Sequence, residues 1–475
     1  MEQNQVFDCI VVGAGVIGAS IFNALIKSGH NCLMLDKACD VATGASKANS
    51  GLIHAGFDAA EGTLKAKLNV EGNKMYPAIC KRLGLPLKKV GAIVVGDDLQ
   101  VVNNLYNRGV KNGVKNMQVL NREQLLEQEP NLADGITCGL FAKDAYIVSP
   151  YLYTICLTEE AIINGGEVLL NTQIVKVVKK SGIYKVVTTF GEYYTKKIVN
   201  CAGAGFNQVA KVLATEPIDL KFRRGEYYVL DSTEANLVKH TIFPLPSKEK
   251  GKGVLVTPTI DGNILVGPTS EFGNDSTKTT ADGLQEIKAK SASIIKNVNL
   301  RKTIRTFAGV RAISGTDFVI RQSKTDSNIV YVGGICSPGL SSAPAIAKMV
   351  VELLGYTYNP NIKTKQIEPY TLLKDLPLSK QNELIAKDKN YGRIVCKCEN
   401  ISAGDILFAL KRPLPVVSTD GIKRRVRAGM GRCQGGFCLD GVISLIAKQN
   451  NIVLESVLKE NAGSNHIIGN IRGYR

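Results

Sequence analysis

The chain has 475 residues, 44% apolar and 21% charged, which is room for two to four domains of roughly 100–200 residues and excludes a disordered, collagen-like or mucin-like polymer. Lys and Arg total 59 against 42 acids, a formal net charge of +17; that field attracts anions without choosing among phosphates, carboxylates, acidic proteins, anionic lipid and nucleic acid. Twelve cysteines, eight of them scattered, do not make a secreted disulfide scaffold and fit a reducing, cytoplasmic compartment.

The first predicted elements are a buried strand over Phe7–Val12, a helix over Ala19–Lys27 closed by Ser28-Gly29, and a strand over Asn31–Leu35 ending at Asp36. Such a strand–helix–strand unit predicts a parallel sheet. The uncharged run Cys9–Ile26 approaches the length of a membrane span, but it contains Gly13, Gly15 and Gly18, follows Asp8 and lacks a basic leader. It reads as a nucleotide-binding turn, and the protein as cytoplasmic, with a peripheral membrane contact left open. Residues 43–58, rich in Gly, Ala and Ser, suit a loop against a ligand.

Further on, Val168–Val187 reads as a hairpin turning at Ser181-Gly182, and Ile198–Gly205 as a strand entering a Gly-rich turn. Residues 222–310 alternate β-branched runs with Gly and Pro turns, which predicts a second, antiparallel domain. Ile329–Gly334 reads as a buried strand and Ser341–Leu354 as a helix. Residues 356–390 read as a linker, 391–450 as a small Cys-bearing domain and 451–475 as a loose tail.

Gly13-x-Gly15-x-x-Gly18 sits between strand and helix, and Asp36 follows Gly18 by 18 residues. The glycines permit a tight turn and backbone approach to a pyrophosphate, and helix amides face its charge. Asp36 accepts ribose hydroxyls and repels a 2′-phosphate. The motif alone leaves FAD and NAD open.

Three further segments separate them: VATGASKANSGLIHAGF (Val41–Phe57), GVRAISGTDFVIR (Gly309–Arg321) and GGICSPGLSSAPAI (Gly333–Ile346). With the glycine motif, RRGEYYVL (Arg223–Leu230) and KGVLVTPTIDGNILVGPT (Lys252–Thr269), they resemble the FAD-dependent glycerol-3-phosphate dehydrogenases and oxidases, within the D-amino-acid-oxidase-like superfamily. The resemblance spans about residues 6–355. It implies an α/β fold: a discontinuous Rossmann-like FAD-binding domain (1–80, 145–215 and 305–355) and an antiparallel-sheet substrate domain (81–144 and 216–304).

By position it places Gly13, Gly15, Gly18 and Asp36 on the adenosine pyrophosphate, and Ala45, Ser46, Asn49 and Ser50 on the phosphate and flavin-ring side. Gly203 falls near the adenine. Ser337, Pro338, Gly339 and Leu340 open a helix toward the flavin pyrimidine, where a helix N-terminus suits the negative charge of reduced flavin. His54 matches the family's base, a role an ordinary histidine pKa of about 6.5 permits at neutral pH. Arg311 and Lys252 match substrate-anion ligands, with Arg224 a further candidate. Tyr227 and Tyr228 alternate on a strand, so one faces the pocket.

Cys396-x-Cys398 is followed after 34 residues by Cys433-x4-Cys438. Four thiolates serve a [2Fe–2S] cluster or zinc. CKCENISAGDI and TDGIKRRVRAGMGRCQGGFC resemble the bacterioferritin-associated-ferredoxin-like domain, which implies the cluster. Ser402 reads as an N-cap. Residues 411–432 hold seven Lys or Arg and one acid, read as compensating the cluster's charge, as docking an acidic electron partner, or as a solvated face. The segment has no aromatics, so a nucleic-acid role is discounted.

The resemblance implies oxidation of sn-glycerol 3-phosphate to dihydroxyacetone phosphate, with electrons leaving through the cluster to a protein or quinone acceptor. GTLKAKLNVEG (Gly62–Gly72) also resembles L-2-hydroxyglutarate dehydrogenases. The same residues are compatible with an H2O2-forming oxidase, and with an electron-transfer or iron-handling flavoprotein.

Overall fold

The computed structural model describes residues 5–246, 253–273, 275–359, 362 and 364–469. Strand Val6–Val12 runs parallel to Cys32–Leu35 on one side and to Gly191–Asn200 on the other. Ile329–Gly333 and Glu167–Leu169 extend this parallel core, and the hairpin Ile174–Lys180/Ile183–Thr188 turns at Ser181-Gly182 as expected. The apolar run that mimicked a membrane span is strand, turn and the fully buried helix Val16–Lys27. Gly18 is required there: a Cβ would stand 1.8 Å from the Gly13 carbonyl oxygen, so only glycine lets the helix lie on the turn. Helices Val16–Lys27, Leu64–Leu83, Pro150–Ile163 and Gly339–Leu353 cover one face with an apolar core.

The second sheet takes its strands from both predicted parts of the substrate domain. Its order is Glu271–Phe272, Lys221–Leu230, Ile264–Gly267, Leu255–Pro258, Thr241–Pro244, Ala92–Gly96, Cys138–Ala142 and Met117–Asn121. All its pairings are antiparallel except Thr241–Pro244 with Ala92–Gly96. Strand Thr303–Ile313 pairs along the whole of Lys221–Leu230 and so belongs to this sheet, whereas the resemblance puts 305–355 in the dinucleotide part. The reason is its register, which runs unbroken from Lys221↔Ile313 to Val229↔Arg305.

The C-terminal module holds helices Ala403–Leu410, Thr419–Val426 and Leu439–Asn450 round its own apolar core. Ser402 caps the first as predicted, accepting from the Asp405 amide at 3.1 Å while Asp405 accepts from the Ser402 amide at 2.9 Å. Two expectations change. Residues 356–390 carry the helix Leu378–Lys387, and Tyr370 packs against both the dinucleotide core and the module core. The described residues of this stretch form a docked strap. Residues 451–469 are likewise seated, with Val457 buried and Leu458 bridged to Ser418.

Candidate functional site

The predicted dinucleotide residues converge at the carboxyl ends of three neighbouring parallel strands. Gly13 takes φ +111°, and its missing Cβ faces the Cys201 carbonyl oxygen, so the turns after Val12 and after Asn200 touch backbone to backbone. Asp36 receives the Ala14 amide at 2.7 Å and the Ala38 amide at 2.9 Å, which aims its carboxylate across the glycine turn. Ser46 Oγ accepts from the Val16 amide at 2.8 Å and ties the 41–51 loop to the helix start. Asn49 braces that loop, donating to the Ala45 and Ser46 carbonyls and accepting from the Gly51 amide. Ala45 is exposed, Ser50 half-buried, and Gly203 lies in an exposed turn where an added Cβ would meet open space. A turn of this shape and an oriented carboxylate fit an extended dinucleotide.

His54 leaves the same loop toward the second sheet. Its backbone is held on both sides: its amide donates to Ser341 Oγ at 2.7 Å, and its carbonyl accepts from Asn73 Nδ2 at 3.0 Å. Its ring lies 5.9 Å from the Phe243 ring, and Nε2 is 3.5 Å from Ser337 Oγ. Ser337 and Pro338 precede helix Gly339–Leu353, and the Leu340 carbonyl accepts from Tyr76 Oη at 2.5 Å. The imidazole therefore stands between the two sheets, beside the helix start expected at the flavin.

Arg311 faces this cleft from strand Thr303–Ile313. Its Nη2 donates to the Thr269 and Arg224 carbonyls at 2.9 and 3.3 Å. Tyr227 is on the same side, buried and stacked on Phe307 at 4.7 Å; Tyr228 turns the other way, its hydroxyl donating to the Leu284 carbonyl. Arg224 points away from the cleft. It is 4% exposed and bound to Glu226, Glu271 and the Lys278 carbonyl, so it is a structural ion pair and not a substrate ligand. Strand alternation puts its neighbour Arg223 beside Arg311 instead, a pairing that the sequence alone does not single out. Lys252 lies outside the described residues.

The four C-terminal cysteines meet as two adjacent pairs, Cys396 with Cys438 and Cys398 with Cys433. Hydrogen bonding from Cys438 pulls the Cys396 thiol down to about 6; burial opposes it, and the Gly429 and Glu399 amides assist. The Phe437 amide, with those of Gly435 and Gly436, pulls Cys433 down as well. Gly431 leaves room for this approach, since a Cβ there would stand 2.4 Å from Cys398 Cβ. Among the described residues no three or more His, Cys, Asp or Glu side chains gather as a metal-ion site. Two thiol pairs set among amides would supply the four thiolates that a [2Fe–2S] cluster needs.

Most of the basic segment 411–432 turns inward, with only Lys411 and Arg432 of its cations exposed. Arg424 and Arg425 close on the buried carboxylate of Asp40 at 2.9 and 2.8 Å, and Arg412 on buried Glu159 at 2.6 Å. Arg427 reaches Asp261 and Glu399, and Arg432 reaches Asp231. Glu460 pairs with Lys47 of the dinucleotide loop and with Arg424, and the Cys39 amide donates to Asn461 Oδ1 at 3.3 Å. These arginines fasten the module to the body. Burial would push the Asp40 carboxyl up, but Arg425 and Arg424 outweigh it and hold it below the usual range.

Residues 8–353 match the family described as FAD dependent oxidoreductase, and residues 394–448 match the BFD-like [2Fe-2S] binding domain. A glycerol 3-phosphate dehydrogenase of Caloramator mitchellensis is 41% identical over 98% of both chains. A solved structure of L-alpha-glycerophosphate oxidase from Mycoplasma pneumoniae, with FAD bound, shares 31% identity at a TM-score of 0.73, covering 77% of this chain and all of that one. An L-2-hydroxyglutarate dehydrogenase of Escherichia coli is 31% identical over 56% of this chain and 64% of its own.

Proposed function

The chain belongs to the FAD-dependent oxidoreductase family, and on that basis we propose that it is a dehydrogenase oxidising sn-glycerol 3-phosphate to dihydroxyacetone phosphate. The observation that carries this reading is the likeness to the Caloramator dehydrogenase, which runs through both the flavin part and the C-terminal module. Gly13, Gly15, Gly18, Asp36, Ser46 and the Ser337–Leu340 turn would hold FAD, which would supply a hydride acceptor. Cys396, Cys398, Cys433 and Cys438 would hold the [2Fe–2S] cluster, which would supply a one-electron relay.

In this reading Arg311 fixes the substrate phosphate, and Lys252, outside the described residues, is a further candidate for the same end. His54 Nε2 takes the proton of the secondary hydroxyl as its carbon gives up hydride, so that one proton and one hydride leave and a ketone remains. Ser337 Oγ, 3.5 Å from that nitrogen, and the two hydrogen bonds on the His54 backbone keep the imidazole aimed. An electron exit through the module is supported by strand Thr303–Ile313. Arg305 on it meets Gln434 of the cluster loop at 3.1 Å, and four residues on, about 13 Å at roughly 3.3 Å per residue, Gly309 packs on Ala48 of the flavin loop. The final acceptor, a protein or a quinone, and a cytoplasmic or membrane-peripheral site of action are parts of the same proposal. No helix among the described residues is long and apolar enough to cross a membrane.

The test is anaerobic mixing of the holoprotein with glycerol 3-phosphate, watching flavin absorbance. Bleaching is expected, slowed about 10²- to 10⁴-fold in His54→Gln with FAD content unchanged. A flavin left oxidised by glycerol 3-phosphate but bleached by L-2-hydroxyglutarate overturns the substrate. Full activity of His54→Gln toward a protein acceptor would point to a pure electron-transfer role. The Mycoplasma structure favours one second reading, an oxidase; stoichiometric oxygen uptake with substrate would establish it.

A further inference from the structure

We propose that Arg223 is a second substrate-binding residue, forming with Arg311 a two-guanidinium seat for a phosphate dianion. The pair makes this site prefer a phosphate monoester to a carboxylate. The inference rests on the reading above and names the part of the site that selects the substrate.

Arg223 and Arg311 are direct partners in the antiparallel register of Lys221–Leu230 and Thr303–Ile313, so their side chains rise from the same face. Like charges directly opposite on a sheet destabilise it. Both are half-buried, and burial together with Arg311 pulls the Arg223 pKa down. An anion between the two guanidiniums turns that repulsion into attraction.

Both cations are steered rather than loose. Arg311 Nη2 is bound to the Thr269 carbonyl and lies over Gly225, where a Cβ would come within 2.7 Å of it. Arg223 Nε donates to Ser270 Oγ, and its guanidinium covers the Phe272 ring at 4.4 Å. The short stretch 268–272 thus supports both heads. Cys336 lies near enough to act electrostatically on Arg223, and the next residue, Ser337, stands 3.5 Å from His54 Nε2. The cationic pair and the imidazole therefore flank one turn, which suits a small molecule with an anion at one end and a hydroxyl near the other.

The number of guanidiniums is what selects. A carboxylate has one charge and two oxygens, which a single Arg fork satisfies. A phosphate monoester has a third oxygen and, above its second pKa of about 6, close to a second charge. Arg223 is placed to take both.

Wild type, Arg223→Gln and Arg223→Lys are compared in steady state with an artificial dye acceptor and glycerol 3-phosphate, with inorganic phosphate as competing probe. For Arg223→Gln, the KM and the phosphate Ki are expected to rise about 10- to 100-fold, the loss of one charged hydrogen-bonded contact, with kcat changed much less. Arg223→Lys restores part of the loss, since it keeps the charge but not the fork. The wild-type rise of kcat/KM through the second phosphate ionisation flattens in Arg223→Gln. Unchanged KM and Ki in Arg223→Gln, with a wild type that glycerol 3-phosphate does reduce, overturn the inference alone. A wild type that glycerol 3-phosphate fails to reduce overturns the substrate reading instead. Should Arg223→Gln lose FAD, Arg223→Lys decides: a raised phosphate Ki supports the seat, and an unchanged one overturns it.

Discussion

Arg223 and Arg224 are neighbours of identical chemistry with opposite fates. The strand's two-residue alternation sends one toward the cleft beside Arg311 and the other into a cage with Glu226 and Glu271. Glu226 in turn accepts from the Thr280 amide at 2.8 Å and from its hydroxyl at 2.9 Å, so Arg224 anchors the start of helix Ala281–Ala292. Arg224→Ala leaves a buried carboxylate uncompensated and is expected to cost about 3–5 kcal/mol of stability, with the KM of the folded remainder unchanged. Thermal unfolding beside steady-state kinetics measures both, and a raised KM at wild-type stability would contradict this assignment. Sequence showed two adjacent arginines before Gly225-Glu226; only the strand's register shows which of them faces the cleft.

Strand Thr303–Ile313 links three places that the sequence treats separately. It meets the Cys433 loop at Arg305, the 41–51 loop at Gly309 and the 268–272 stretch at Arg311. The closest of these approaches is at Gly309, where a Cβ would stand 2.1 Å from the Ala48 carbonyl oxygen. Gly309→Ala must therefore part the strand from the loop. A loss of about 1–3 kcal/mol and weaker FAD retention are expected, read by calorimetry and by flavin released on dilution. The glycine turn, Asp36 and the parallel strands were legible because each is local: a strand, a tight turn and an acid within one short stretch. His54, Ser46 and the SPGL helix start were legible only through family resemblance, since nothing in their own neighbourhoods predicts that they meet. The strap 356–390 and the seated tail were not legible, because their burial depends on partners hundreds of residues away.

At the scale of the molecule, the high positive charge proves partly internal. Five arginines from Arg412 to Arg432 face carboxylates, and all five reach the body, at Asp40, Glu159, Asp231 and Asp261. Composition counts such charges without their partners, which is why the sequence left the segment open between cluster compensation, partner docking and a solvated face. Asp40→Ala strands two buried guanidiniums and is expected to loosen the module by about 3–5 kcal/mol, seen as an early, separate calorimetric transition. The pH dependence follows from the carboxylates. Asp40 and Asp231 are held below their ordinary range, so their contribution is complete above the unfolded value of about 3.9 and fades as pH falls through the folded values. The module's calorimetric transition should therefore hold steady from pH 7 to pH 5 and fall only in stronger acid; a fall already at pH 5 would refute the clasp. Asp40 also stands four residues beyond Asp36, on the loop that borders the dinucleotide groove. The stretch from Asp36 to Asp40 thus borders the glycine turn at one end and the module's arginines at the other. Flavin-free protein is expected to hold the iron–sulfur module less tightly than holoprotein, seen as faster release of that module in limited proteolysis.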